Sequence, residues 1–140
     1  MKYIAYGSNM VESQMAFRCP DARLIGTGYI ERARLEFYLH ATVERTRCKS
    51  SRVPVAVWEI SDEDEKSLDR YEGFPMVYGK EEVSIPGGMK GFIYIMDERL
   101  GVKGTSRQYY DICCKGYEDF GLDLQYINDA LKRSLEEMGR

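Results

Sequence analysis

Residues 53–73 read VPVAVWEISDEDEKSLDRYEG, and few other arrangements suit them than a buried strand running directly into a capped helix. Val53 to Ile60 is almost continuously apolar and β-branched, the signature of a strand covered on both faces rather than one. Ser61 followed by Asp64 has the spacing of a capping box, and the acids Asp62, Glu63, Asp64 and Glu65 fall in the first turn, where the helix dipole favours negative charge. Gly73 stands at the position of a C′ glycine, so a helix is predicted from Asp62 to about Tyr71. A strand buried on both sides needs further layers, and these must come from the rest of the chain.

Lys2 to Tyr6 reads as a first strand and Val11 to Cys19 as a short helix, with Ser8 or Asn9 as its cap and Pro20 just past its end. In RLEFYL, Leu35, Phe37 and Leu39 alternate with Arg34, Glu36 and Tyr38, which predicts a strand with one buried face. Val77 to Ile85 and Lys90 to Met96 form a predicted hairpin about Gly87 and Gly88. Two helices complete the chain. In the first, Tyr109, Ile112, Cys113, Gly116 and Phe120 share a face; in the second, Leu124, Ile127, Leu131 and Leu135 do. The 140 residues show no repeat or linker, so a single α+β domain over 1–140 is expected, with a mixed, mainly antiparallel sheet curled into a barrel.

Charge excludes some partners. The formal net charge is −3, and the one basic stretch, ERTRCKSSR at Glu44 to Arg52, is interleaved with Glu, Thr and Ser and has no aromatic residue on which a base could stack. It reads as a solvated loop, and no nucleic-acid partner is expected. The N-terminal apolar run is far shorter than a signal peptide core or a spanning helix, so a cytoplasmic protein without a membrane partner is expected. Cys19, Cys48, Cys113 and Cys114 show no metal or redox spacing and read as free thiols; the single histidine, His40, has no partner at ligand spacing. No metal or cofactor is expected, and no G-x-S-x-G, HExxH or P-loop pattern occurs.

Two places could carry chemistry. YGSNM, Tyr6 to Met10, is a strand-to-helix turn in which the glycine would let the backbone approach a ligand and the amides of Ser8, Asn9 and Met10 would face an anion. Glu72 lies at the end of the acidic helix, beside the negative end of its dipole and between Tyr71 and Phe74. There a carboxylate is disfavoured, and its pKa should rise towards neutrality. Each also has an ordinary reading: a helix cap for the turn, an exposed side chain for the glutamate.

Taken together, YGSNM, VAVWEISDEDEKSLDRYEG, Tyr78 six residues beyond Glu72, FIYIM, and QYYDICCKGYEDFGLDLQY resemble the gamma-glutamylcyclotransferase family, with its AIG2-like relatives, along nearly the whole chain. The resemblance implies a small β-barrel flanked by helices, with the turn and the glutamate meeting at one cavity. It also implies Glu72 as acid/base, a substrate held by Tyr6, Gly7, Ser8, Asn9 and Met10, and a pocket lined by Tyr78 and Tyr109. The implied substrate is a γ-glutamyl amine or amino acid, cyclised to 5-oxoproline without a cofactor by a monomer or homodimer. A non-catalytic domain of the same fold that only binds such a molecule is the alternative. Asp123 stands where the family often has proline, and the short loop between Met96 and Ser106 implies a different pocket mouth.

Overall fold

The computed structural model describes residues 1–96 and 102–139. Its elements are β1 (Lys2–Ala5), a 3-10 turn (Ser8–Met10), α1 (Glu12–Arg18), β2 (Arg23–Glu31), β3 (Ala33–Arg45), β4 (Arg52–Glu59), α2 (Asp62–Glu72), β5 (Tyr78–Ile85), β6 (Met89–Met96), β7 (Gly104–Thr105), α3 (Arg107–Asp119) and α4 (Gln125–Met138). Five strands form one sheet in the order β2-β4-β1-β6-β5, and β3 pairs with β7 in a second, two-stranded sheet. All ladders of the large sheet are antiparallel except β1 with β6, where Tyr3 lies opposite Phe92. The large sheet curls until its edges meet: a Cβ on Gly28 of β2 would lie 2.8 Å from Ile85 Cδ1 of β5. The result is barrel-like, although no hydrogen-bonded ladder joins β2 to β5 among the described residues.

The buried strand and its helix form as their sequence dictates. Val53 to Trp58 are all buried, because β4 lies between β2 and β1 and beneath β3. Ser61 accepts from the Asp64 amide at 3.1 Å while Asp64 Oδ2 accepts from the Ser61 amide at 3.3 Å, and Gly73 ends α2 in the left-handed conformation at φ 66°. The hairpin closes with Ile85 opposite Met89. None of the helices among the described residues is long and apolar enough to cross a membrane.

Four expectations are corrected. Arg23–Glu31 is a strand that the pattern did not reveal: Gly26 and Gly28 dilute its apolar signal, and as an edge strand it is largely exposed. The alternation in β3 breaks at Leu39, which adopts φ 67° and is 56% exposed, whereas Glu36 and Tyr38 are buried. Glu36 tolerates complete burial because Arg34 Nε at 2.7 Å, Arg133 Nε at 3.4 Å and Lys103 Nζ at 3.9 Å surround it. On α4 the buried stripe is Ile127, Ala130 and Ser134, and Leu135 is exposed; on α3, Tyr117 joins Cys113 and Gly116 inside while Ile112 is only partly covered. Finally, neither Ser8 nor Asn9 caps α1. The residue before that helix is Val11, with no side-chain cap, and Ser8–Met10 forms its own 3-10 turn. The part of the Met96–Ser106 loop at 97–101 lies outside the described residues.

Candidate functional site

β1 runs through the middle of the sheet and delivers Tyr6 and the Gly7–Asn9 turn to one end of it; α2 crosses the same end and places Glu72 there. A single pocket is lined by residues from both, together with side chains of β3, β5, β6 and α3. Of the residues singled out from the sequence, Tyr6, Gly7, Ser8, Asn9, Glu72, Tyr78 and Tyr109 border it. Met10 does not. It is completely buried, its N–H donates to the Gly7 carbonyl at 3.1 Å, and its Cβ lies so close to α3 that only glycine fits at Gly116. The expectation that the Met10 amide faces a ligand is therefore corrected: that donor closes the 3-10 turn.

The other three amides of the turn are differently placed. A 3-10 turn leaves its first N–H groups without intrahelical acceptors, and the N–H groups of Gly7, Ser8 and Asn9 have no acceptor among the described residues. Ser8 and Asn9 are themselves buried, so these donors are available only to something entering the pocket. Gly7 is required here for a close approach within the protein: a Cβ would stand 2.8 Å from the Tyr109 hydroxyl.

Glu72 faces this turn. Its carboxylate has no hydrogen-bond or ion-pair partner among the described residues, and burial raises its pKa to about 7, with Arg18 as the one opposing influence. The direction agrees with the sequence reading, but burial in the pocket is the dominant cause. At neutral pH the group is thus poised between accepting and donating a proton.

A wall of phenols surrounds the carboxylate, and each is held in place. Tyr78 Oη donates to the Ala41 carbonyl at 2.8 Å; the Ala41 N–H donates to Tyr109 Oη at 3.1 Å; Tyr6 Oη donates to the Tyr94 carbonyl. Tyr94 Oη donates to Asp69 Oδ1 at 2.6 Å, and Lys80 Nζ holds the same oxygen at 2.8 Å. Asn9 Nδ2 donates to Tyr3 Oη at 3.1 Å. Burial pushes Tyr3, Tyr6, Tyr78, Tyr94 and Tyr109 well above the ordinary phenol range, and Glu72 adds to each rise, so all five stay protonated. Among the described residues no three His, Cys, Asp or Glu side chains gather as a metal site.

Sequence reasoning missed Tyr3, His40, Ala41, Tyr71 and Tyr94 as lining residues. For Tyr3 and Tyr94 a signal existed, since Tyr3 sits on the short apolar strand just before YGSNM and Tyr94 lies within FIYIM itself. For His40 there was none: it reaches the rim because Leu39 turns the strand, and its ring lies 4.7 Å from that of Tyr109.

Chemically, the site offers a cluster of free backbone donors suited to an anionic or developing oxyanion group, opposite one isolated carboxyl of near-neutral pKa, inside a wall of neutral phenols. Comparison with known proteins bears on the fold and the family. The chain is similar in fold to a solved structure described as a gamma-glutamyl cyclotransferase, at 24% identity and a TM-score of 0.79, covering 93% of this chain and 85% of that one. It is similar as well to an uncharacterized Homo sapiens protein at 26% identity and a TM-score of 0.78, covering 92% and 85%. YkqA from Bacillus subtilis matches at 17% identity and a TM-score of 0.74, over 97% of this chain and 54% of that one. A search of curated proteins finds no significant match. The model of the family described as "Gamma-glutamyl cyclotransferase, AIG2-like" matches residues 3–113, which include the turn, Glu72 and all five phenols named above, and the chain belongs to that family.

Proposed function

We propose that this protein cyclises a γ-glutamyl amine or γ-glutamyl amino acid to 5-oxoproline, releasing the amine or amino acid, with Glu72 as general acid/base. The observation that carries the reading is the unpartnered Glu72 carboxyl, raised to about 7, in the same pocket as the free amides of Gly7, Ser8 and Asn9. The substrate's α-ammonium cannot attack until it loses a proton. Glu72 as carboxylate takes that proton, and the freed nitrogen attacks the γ-carbonyl carbon within the same molecule, forming the ring C–N bond. Turn amides stabilise the resulting oxyanion. The protonated Glu72 then gives its proton to the leaving nitrogen as the original C–N bond breaks, and the regenerated carboxylate takes the second proton of the ring nitrogen, which departs on the released amine as its ammonium.

Ser8 binds in this scheme and does not attack, because the nucleophile is the substrate's own amine. Tyr6, Tyr78 and Tyr109 shape the pocket around the folded substrate. A screen of γ-glutamyl amino acids and γ-glutamyl amines, read both as thermal stabilisation and as 5-oxoproline formed, tests the reading. Product from at least one substrate is expected. Stabilisation by a substrate with no product from any would overturn the enzymatic reading in favour of binding alone.

A further inference from the structure

We propose that Arg18 is a positioning residue of this site, a clamp that fixes the Gly7–Asn9 turn to the C-terminal turn of α2 and so sets how the amides face Glu72. The proposal rests on the cyclisation reading above. Arg18 ends α1 and is not itself a lining residue. Its Nη1 donates to Asn9 Oδ1 at 2.5 Å, and the guanidinium plane lies over the Tyr71 ring, 3.6 Å from its centre. One side chain thus holds both halves of the site: Asn9 from the turn and Tyr71, the residue next to Glu72. Asn9 carries the hold further, since its Nδ2 donates to Tyr3 Oη at 3.1 Å.

The base of the clamp is fixed independently. Cys19 beside it is buried and its thiol faces the Asp64 carbonyl of α2 at 3.7 Å, while the Ser61 hydroxyl donates to Asp21 Oδ2 at 2.9 Å. With α1 tied to the start of α2, Arg18 can brace the end of α2 against the turn. Only arginine has a plane to stack and donors in the same fork; lysine would retain the charge but lose the flat contact.

The groups that share the pocket with Glu72 are Tyr3 and Tyr6 from the β1 segment, His40 from β3, Tyr78 from β5, Tyr94 from β6, Tyr109 from α3 and, on its own helix, Tyr71; Asp69 of that helix is engaged by Tyr94 Oη and Lys80 Nζ. The five phenols other than Tyr71 stay neutral, as described above. Arg18 is the positive charge that opposes the rise of the Glu72 pKa. Geometry and charge can therefore be separated by two substitutions.

The test uses the full chain with Arg18→Met and Arg18→Lys, read by 5-oxoproline turnover and by a carboxyl-carbon NMR titration of Glu72, with circular dichroism to confirm folding. Arg18→Met is expected to move the Glu72 midpoint to higher pH than in the wild type and to lower kcat by about ten- to a hundredfold, the usual cost of a misplaced group. Arg18→Lys should keep the midpoint near the wild-type value yet lose kcat by a similar factor; if Arg18→Met does not fold, this split alone decides. Wild-type kcat in either variant would overturn the clamp, as would a Glu72 midpoint in Arg18→Lys shifted well away from wild type. Glu72→Gln separates the two readings: retained 5-oxoproline release in that variant defeats Glu72 as the acid/base, whereas the clamp stands or falls on the kcat of Arg18→Lys at an unchanged Glu72 midpoint.

Discussion

Glu72→Gln should make the protein more stable in alkaline solution while disabling it. Raising a carboxyl from its ordinary 4.5 to about 7 means that the fold disfavours its ionised form. At about 1.4 kcal/mol per pH unit, the difference is about 3 kcal/mol. The sign follows from linkage: the folded state binds the proton more tightly than the unfolded chain, so the associated stability is complete below pH 4.5, declines as pH rises, and is lost above about 7. Glutamine has nearly the same shape and never ionises. Urea unfolding of the wild type and Glu72→Gln from pH 4 to 8.5 should therefore give a difference that grows in favour of the variant by about 3 kcal/mol, or roughly 10 °C in Tm. Other titrating groups, His40 included, are common to both proteins and cancel. A pH-independent difference, or one growing in the opposite direction, would refute the account of Glu72 as a desolvated carboxyl held neutral by its pocket.

The same pKa predicts that kcat/KM falls tenfold for each pH unit below about 7, measured as 5-oxoproline release under first-order conditions. Gly7→Ala would drive a Cβ to 2.8 Å from Tyr109 Oη and force the phenol off the Ala41 N–H, for a loss of about 1–3 kcal/mol; adding Tyr109→Phe should relieve most of it, and strictly additive losses in thermal denaturation would contradict the contact. Glu36→Ala leaves Arg34 and Arg133 without their buried carboxylate and should lower stability by about 3 kcal/mol in urea titrations, discounted for the partial exposure of both arginines.

The parts of the fold legible in the sequence were those specified by neighbours. Ser61 and Asp64 cap each other across three residues, Gly73 ends its helix by its own backbone freedom, and the Val53–Trp58 run announces burial on both faces whatever covers it. What escaped detection depends on contacts distant in sequence. Arg23–Glu31 is a strand because β4 pairs with it, despite its glycines. Glu36 is inside because residues 103 and 133 bring cations to it, and no pattern local to β3 could show that. At the site, the turn and Glu72 stood out as motifs, but the physical cause of the raised pKa did not: a helix end suggests the dipole, whereas the fold supplies burial among tyrosines from five different elements. Arg18 was silent in the sequence because its role lies in joining Asn9 to Tyr71, residues that are 62 positions apart.

The most direct measurement is 5-oxoproline release by purified wild-type protein and by Glu72→Gln, on the best γ-glutamyl substrate and at matched folded fraction. Turnover by the wild type is expected, with its loss in the variant by at least about a hundredfold, since the variant can neither take the proton from the α-ammonium nor return it to the leaving nitrogen. Turnover by a folded Glu72→Gln protein at the wild-type rate would contradict this role of Glu72.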